Sequence, residues 1–170
     1  QWRYFMENLY KTDYTQWLSQ QRELLTQRQF HKLDIENLLE AMGLRMGDMA
    51  NELGSHLKIL LIHLLNYDYQ KRILKDPWVE DKVLHIWLSS INRVEIEHHI
   101  DKNPSLIPRT EEVLAEVYPK AKKEAIKELN RYIKIESKRL NKKSFPDECP
   151  WTYDQVTDSD WLPGDRVMKK

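Results

Sequence analysis

Four glycines in 170 residues, three of them (Gly43, Gly47, Gly54) within one short stretch, leave the chain few of the residues that tight hairpins require. No run shows sustained apolar/polar alternation bounded by turn residues, and between the breakers the apolar residues recur at three and four. The fold class expected is therefore all-α: a compact bundle of about five helices.

The first helix is expected from Thr12, with Asp13 in its first turn, and carries Tyr14, Trp17, Leu18, Leu24 and Leu25 on one face before fading near Phe30. Asp34 reads as the next N-cap, followed by Glu36 and then Leu38, Leu39 and Met42 at helical spacing. Gly43 and Gly47 each weaken a helix by about 1 kcal/mol relative to Ala, so a kink or break is expected there. From Asp48 to about Tyr69 the stripe Leu53, Leu57, Leu60, Leu61, Leu64 and Leu65 marks the most buried helix. Asp76-Pro77 reads as a cap with proline at the first helical position, opening a helix that Trp78, Val83, Leu84, Trp87, Leu88, Ile91 and Val94 carry to Ile100. Asn103-Pro104 ends it. A last helix starts between Ser105 and Thr110 and is expected to reach Leu140, with a kink or restart at Pro119.

After Ser144 the chain turns aromatic and turn-rich, with a cap at Thr152. The division expected is a bundle over 1–143 and an acidic tail over 144–170 docked on it, because a tryptophan at a chain end usually buries its ~150–250 Å² against the body. Residues 1–5, ahead of Met6, read as a remnant or an alternative start and carry no functional argument.

Charge narrows the function. Lys plus Arg and Asp plus Glu both number 27, so no global field draws the chain to nucleic acid or an anionic membrane. The one cysteine, Cys149, cannot form an internal disulfide, which suggests a reducing compartment, and the expected location is the cytoplasm. Ile59 to Ile62, resuming at Leu64 and Leu65, falls far short of the ~20 residues that span a bilayer.

The ordered motifs resemble a known family. They are Leu9-Tyr10-Lys11-Thr12-Asp13-Tyr14 with Trp17-Leu18; Phe30 and Leu33 through Glu40 to Met42-Gly43; Leu60 to Leu65 with Tyr67, Tyr69 and Gln70; Asn103-Pro104-Ser105-Leu106; and Phe145 through Thr152. The chain is similar, from Leu9 to about Pro163, to the domain of unknown function family number twenty-nine, small all-helical proteins abundant in cyanobacteria. The resemblance implies a helical fold and carries no activity onto any residue. The helix expected after Pro119 is longer and more basic than the family pattern suggests.

Three constellations bear on chemistry. Helical bundles hold two-metal centres with a Glu from each of two helices and a Glu-x-x-His from each of two others. Glu95 with His98 supplies one such unit, and Glu36, Glu40 and His63 are the other candidate ligands. One unit among six histidines is expected by chance, so solvated carboxylates and a packed histidine are the preferred reading, and no cofactor is assigned. For nucleophilic chemistry, Cys149 stands between Glu148 and Pro150, where negative charge disfavours a thiolate. There is no phosphate-binding loop and no nucleophile elbow, and Asp34, Glu36 and Asn37 fit a helix cap better than a catalytic cluster.

Third, residues 120–143 carry ten basic and three acidic side chains. Cations at 120, 123, 127, 131, 134, 138 and 142 would form one helical stripe, with Lys127, Arg131, Lys134 and Lys138 as phosphate contacts. The preferred alternative is a solvated face opposite Ile126, Leu129, Ile133 and Leu140, partly neutralised by the acidic tail. The function expected is a non-enzymatic protein-interaction or regulatory module whose partner is a protein, self or other. Trp2, Trp78, Trp87, Trp151 and Trp161 are too many for all to be fully buried, and rim aromatics are enriched in interfaces. A carboxylate–histidine metalloenzyme and nucleic-acid binding are the alternatives.

Overall fold

The computed structural model describes residues 9–75 and 79–164, with backbone alone for 79–82. The described residues are all-α, and no strand occurs among them. Residues 9–12 are helical, and then come α1 (Tyr14–Thr26), α2 (Ile35–Tyr69), α3 (Val79–Lys102), α4 (Thr110–Tyr132) and the short α5 (Tyr153–Thr157). No helix among the described residues is long and apolar enough to cross a membrane. Contacts divide the chain into two units, Gln1–Asp48 and Met49–Lys170, so residues 144–164 fall in the second unit together with α3 and α4.

In the first unit, Asp13 caps α1 by accepting from the Gln16 amide, one residue later than the sequence suggested. Trp17, fully buried, and Leu24 form its inner face with Gln21, while Tyr14, Leu18 and Leu25 stay about half exposed. Tyr10, Tyr14 and Trp17 cluster with ring centroids 4.7–5.6 Å apart. Asp34 ties this face to the start of α2. Its carboxylate accepts from Trp17 Nε1 (3.1 Å) and Asn37 Nδ2 (2.7 Å), and its amide donates to Gln21 Oε1 (2.9 Å). The cap read from sequence is thus also the unit's polar joint.

α2 runs unbroken from Ile35 through Gly43 and Gly47. The break that the sequence allowed there is absent, because a glycine weakens a helix without removing a hydrogen bond. α2 ends in a π-type turn, Gln70–Leu74, closed by Lys75 in the left-handed region.

The second unit is built on the α2 stripe, whose six leucines from Leu53 to Leu65 are fully buried. Against them pack Val113, Leu114, Tyr118, Ala121, Ala125 and Leu129 of α4, with Ile96, Leu106, Ile133, Leu140, Phe145 and Val156. The helices approach closely at Gly54, where a Cβ would stand 3.1 Å from Val117 Cγ1. Pro119 lies inside α4 without a restart. α4 stops at Tyr132, eight residues short of expectation. The cause is Asn130, whose amide group donates to the Leu140 carbonyl (2.9 Å) and accepts from the Leu140 amide (2.8 Å). That pair brings Leu140 back onto the core through an extended turn and a short 3-10 segment, Glu136–Lys138.

The segment after Ser144 is held by polar anchors as well as by burial. Tyr118 Oη (2.8 Å) and Lys122 Nζ (3.1 Å) donate to the Pro146 carbonyl. Thr152 caps α5 in a reciprocal box with Gln155. Arg93, reaching across from α3, donates to the carbonyls of Val156 (2.8 Å), Ser159 (3.4 Å) and Trp161 (2.7 Å). Trp151 and Trp161 meet edge to face at 5.5 Å. Trp2, Trp78, Asp76-Pro77 and residues after Gly164 lie outside the described residues.

Candidate functional site

α3 turns a polar face inward and its apolar stripe outward. Its inner face carries Ser89, Asn92, Arg93, Ile96 and His99, all buried. Val83 (55% exposed), Leu84 (47%), Trp87 (60%), Ile91 (41%) and Val94 (63%), the apolar residues that marked this helix in the sequence, point outward. The polar inner face is stable because each group has a partner. Ser89 Oγ donates to the His85 carbonyl (2.7 Å), Asn92 Nδ2 to that of Leu88 (3.0 Å), and His99 Nε2 meets the Met49 carbonyl at 2.8 Å. Arg93 serves the tail. Burial pulls its guanidinium pKa down, Asp158 partly opposes this, and the three carbonyls use its donors. A cleft of about 520 Å³ beside it is lined by Ser90, Glu97, Tyr153 and Asp158 among others. Its buried cation is already spent on structure.

The outward residues follow a definite spacing. Leu84, Trp87, Ile91 and Val94 step by three, four and three, the repeat of a helix–helix seam, and Val83 borders it. In the first unit the same spacing recurs on α2 at Ile35, Leu39, Met42 and Met46, which are 53–74% exposed. Leu39 and Met42, read in the sequence as apolar residues at helical spacing, are surface residues. The helical period was legible, but what covers it is a tertiary fact.

The metal candidates are scattered. Glu36 and Glu40 lie in the first unit and are exposed; Glu95 and His98 are exposed on α3. His63 is half-buried on α2 and meets not a carboxylate but His85, their Nδ1 atoms 3.2 Å apart. One Nδ1–H of the pair donates to the other ring. Burial pushes the His63 pKa down, the His85 ring adds to this, and Glu128 opposes it. Next to it Asn66 Nδ2 donates to Glu128 Oε2 (3.0 Å), while buried Asn66 Oδ1 accepts nothing from the described residues. Among the described residues, no three of His, Cys, Asp and Glu gather around one point. The His63–His85 contact was missed in the sequence because 22 residues and a helix reversal separate the two.

Cys149 is half-buried. Burial is the main cause pushing its thiol pKa up, with Glu111 adding to it and a backbone hydrogen bond from Trp151 opposing. The charge that matters thus comes from α4, not from the sequence neighbour Glu148. The basic residues do not make one helical stripe. Lys127 and Arg131 are exposed on α4, but Lys134 follows its end and Lys138 closes the 3-10 segment, where its carbonyl accepts from Tyr69 Oη. Ile133 and Leu140 are buried as expected, although neither is helical. Lys122 is buried against Asp147 (3.3 Å), and Lys58 pairs with Glu124 (3.2 Å).

These features define an all-helical protein with a leucine core, a polar helix face turned inward and an apolar seam turned outward. The sequence profile described as "Domain of unknown function DUF29" matches residues 9–162, and the chain belongs to that family. No curated protein and no solved structure matches it.

Proposed function

We propose that the protein is a non-enzymatic protein-interaction module of the cytoplasm, and that the outward seam of α3 is its binding surface. The supporting observation is the inversion of that helix. Five apolar side chains, a tryptophan among them, face out while an arginine, an asparagine, a serine and a histidine are buried beneath. Exposed aliphatic residues scattered singly need no explanation, whereas a contiguous patch marks an interaction site. Tryptophan at its centre is the residue type most enriched among binding hot spots. The cytoplasmic assignment rests on the single cysteine of the chain.

Nucleic-acid binding has weaker support. Phosphate tracking asks for cations in register, and only Lys127 and Arg131 of the four candidates share a helix.

The test is affinity purification of the tagged chain from its native cell extract, compared with the variant carrying Trp87→Glu and Ile91→Glu. The wild type is expected to retain at least one stoichiometric protein, itself included, that the variant loses. An identical set of retained proteins for both chains overturns the assignment.

A further inference from the structure

We infer that the loop following α4 is a docking surface for an acidic protein segment that carries apolar side chains among its carboxylates. It is a second surface, and nothing in it depends on the reading given to the seam of α3.

The loop is held in place from within. Asn130 and Leu140 exchange two hydrogen bonds (2.9 and 2.8 Å), which close the nine residues between them. Ile133 and Leu140 are buried in the core, and the Lys138 carbonyl accepts from Tyr69 Oη. Closure at both ends limits its reach, so no Cα in it stands more than about 17 Å from the Asn130–Leu140 clamp. A surface fixed in this way loses little conformational entropy when a partner arrives.

What it presents is positive. Residues 131–143 hold six cations, Arg131, Lys134, Lys138, Arg139, Lys142 and Lys143, against one acid, Glu136, a net charge of +5 (six minus one). All six are exposed. Other bases of the second unit meet carboxylates: Lys58 pairs with Glu124, Arg72 with Asp68, Arg109 with Glu112 and Lys122 with Asp147. Among the described residues, none of the six cations of the loop has such a pair. The acidic segment after Ser144 thus reaches Lys122 and leaves the loop unneutralised. Like charges gathered in one short loop repel, and an anion from outside relieves that repulsion.

The apolar side chains select the kind of anion. Tyr132 is 82% exposed and Ile135 57%. A single nucleic-acid strand is held on successive aromatic platforms, and Tyr132 is the one aromatic residue in 131–143. A duplex asks for cations spread along its backbone, whereas these are confined to one closed turn. Glu136, exposed in their midst, repels a backbone that is charged at every nucleotide. An acidic protein segment avoids all three difficulties. It can set a neutral residue opposite Glu136 and bury an aliphatic or aromatic side chain against Tyr132 and Ile135. An apolar centre inside a charged rim is the general anatomy of a protein interface, and tyrosine and arginine are enriched there.

The test is fluorescence anisotropy on the full chain with three labelled probes. Two are peptides, built on the repeats Asp-Glu-Leu and Asp-Glu-Ser, and the third is oligodeoxythymidine of equal charge. The leucine peptide is expected to bind in the micromolar range at low salt, about tenfold more tightly than the serine peptide. Its affinity should fall about tenfold between roughly 20 and 200 mM salt. Arg131→Gln, Lys134→Gln, Lys138→Gln and Arg139→Gln together should weaken it by at least about tenfold. Helical circular dichroism should not change, because all four side chains are exposed. Tyr132→Ser with Ile135→Ser should abolish the preference for leucine over serine. Trp87→Glu with Ile91→Glu should leave peptide binding as it is, so the two surfaces fail or stand separately. No binding of the leucine peptide at low salt, equal binding of the two peptides, tighter binding of the oligonucleotide, or indifference to the four glutamines would each overturn the inference.

Discussion

The two parts of α2 on either side of Asp48 differ in burial far more than in pattern. Before it, Ile35, Leu39, Met42 and Met46 recur at helical spacing and lie 53–74% exposed. After it, Leu53, Leu57, Leu60, Leu61, Leu64 and Leu65 recur at the same spacing and are fully buried. α3 repeats the lesson in a sharper form, since its apolar stripe faces out above a buried polar one. Periodicity therefore establishes that a helix has an apolar side. Whether that side is core or contact surface depends on which other elements supply atoms to cover it, and within the second unit α4 supplies them, approaching closely at Gly54.

The largest expected effect exploits that difference directly. Leu61→Ala should cost about 2–5 kcal/mol, because it removes a fully buried side chain and leaves a cavity among packed neighbours. Leu39→Ala, the same chemical change in the same helix, should stay within about 0.5 kcal/mol at low protein concentration. Urea unfolding followed by circular dichroism compares them. Equal losses would mean that Leu39 is covered, and the contrast between the two stretches would collapse.

A smaller effect is expected at the polar face of α3. Arg93→Met keeps the aliphatic stem but strands the carbonyls of Val156, Ser159 and Trp161. Hydrogen bonds to a charged group are worth about 1.5–3 kcal/mol, so a loss of that order is expected. It should be accompanied by a change in tryptophan fluorescence as the Trp151–Trp161 contact loosens. A variant as stable as the wild type would mean that the segment after Ser144 is held by its apolar contacts and by Tyr118 and Lys122 on the Pro146 carbonyl, without need of Arg93.

Much of this architecture was legible in the sequence. Asp34, Thr152 and the Asn103-Pro104 stop gave correct helix boundaries because caps act through hydrogen bonds two or three residues away. The leucine stripe of α2 was legible for the same reason of locality. What was not legible came from distant partners. The end of α4 at Tyr132 is decided by Asn130 meeting Leu140, and a basic run that looked like one stripe is divided by that turn. The inversion of α3 depends on carbonyls more than sixty residues away, for which no pattern in α3 itself gives a sign. His63, a metal-ligand candidate in the sequence, meets the ring of His85, which lies 22 residues on and on another helix.

His63 gives the last and smallest expected effect. Its folded pKa lies below the ordinary 6.5, owing first to burial and then to His85, so the folded protein resists the proton that the unfolded chain accepts. Above about pH 6.5 both states hold a neutral ring and His63 adds no pH dependence. As pH falls below that value the unfolded chain takes up the proton first, and stability declines until the folded pKa is reached. One proton gives a slope of at most about 1.4 kcal/mol per pH unit. His63→Asn should remove its share of the slope while leaving the slope from carboxylates at lower pH in place. The check is urea unfolding of both chains between about pH 5 and 8, the window in which a histidine titrates. The two stability curves should run parallel above 6.5 and converge below it. Parallel curves throughout would show that His63 carries the same proton affinity folded and unfolded. The His63–His85 contact would then be a surface meeting of two rings, and the junction of α2 and α3 would be as open as the seam on α3's opposite side.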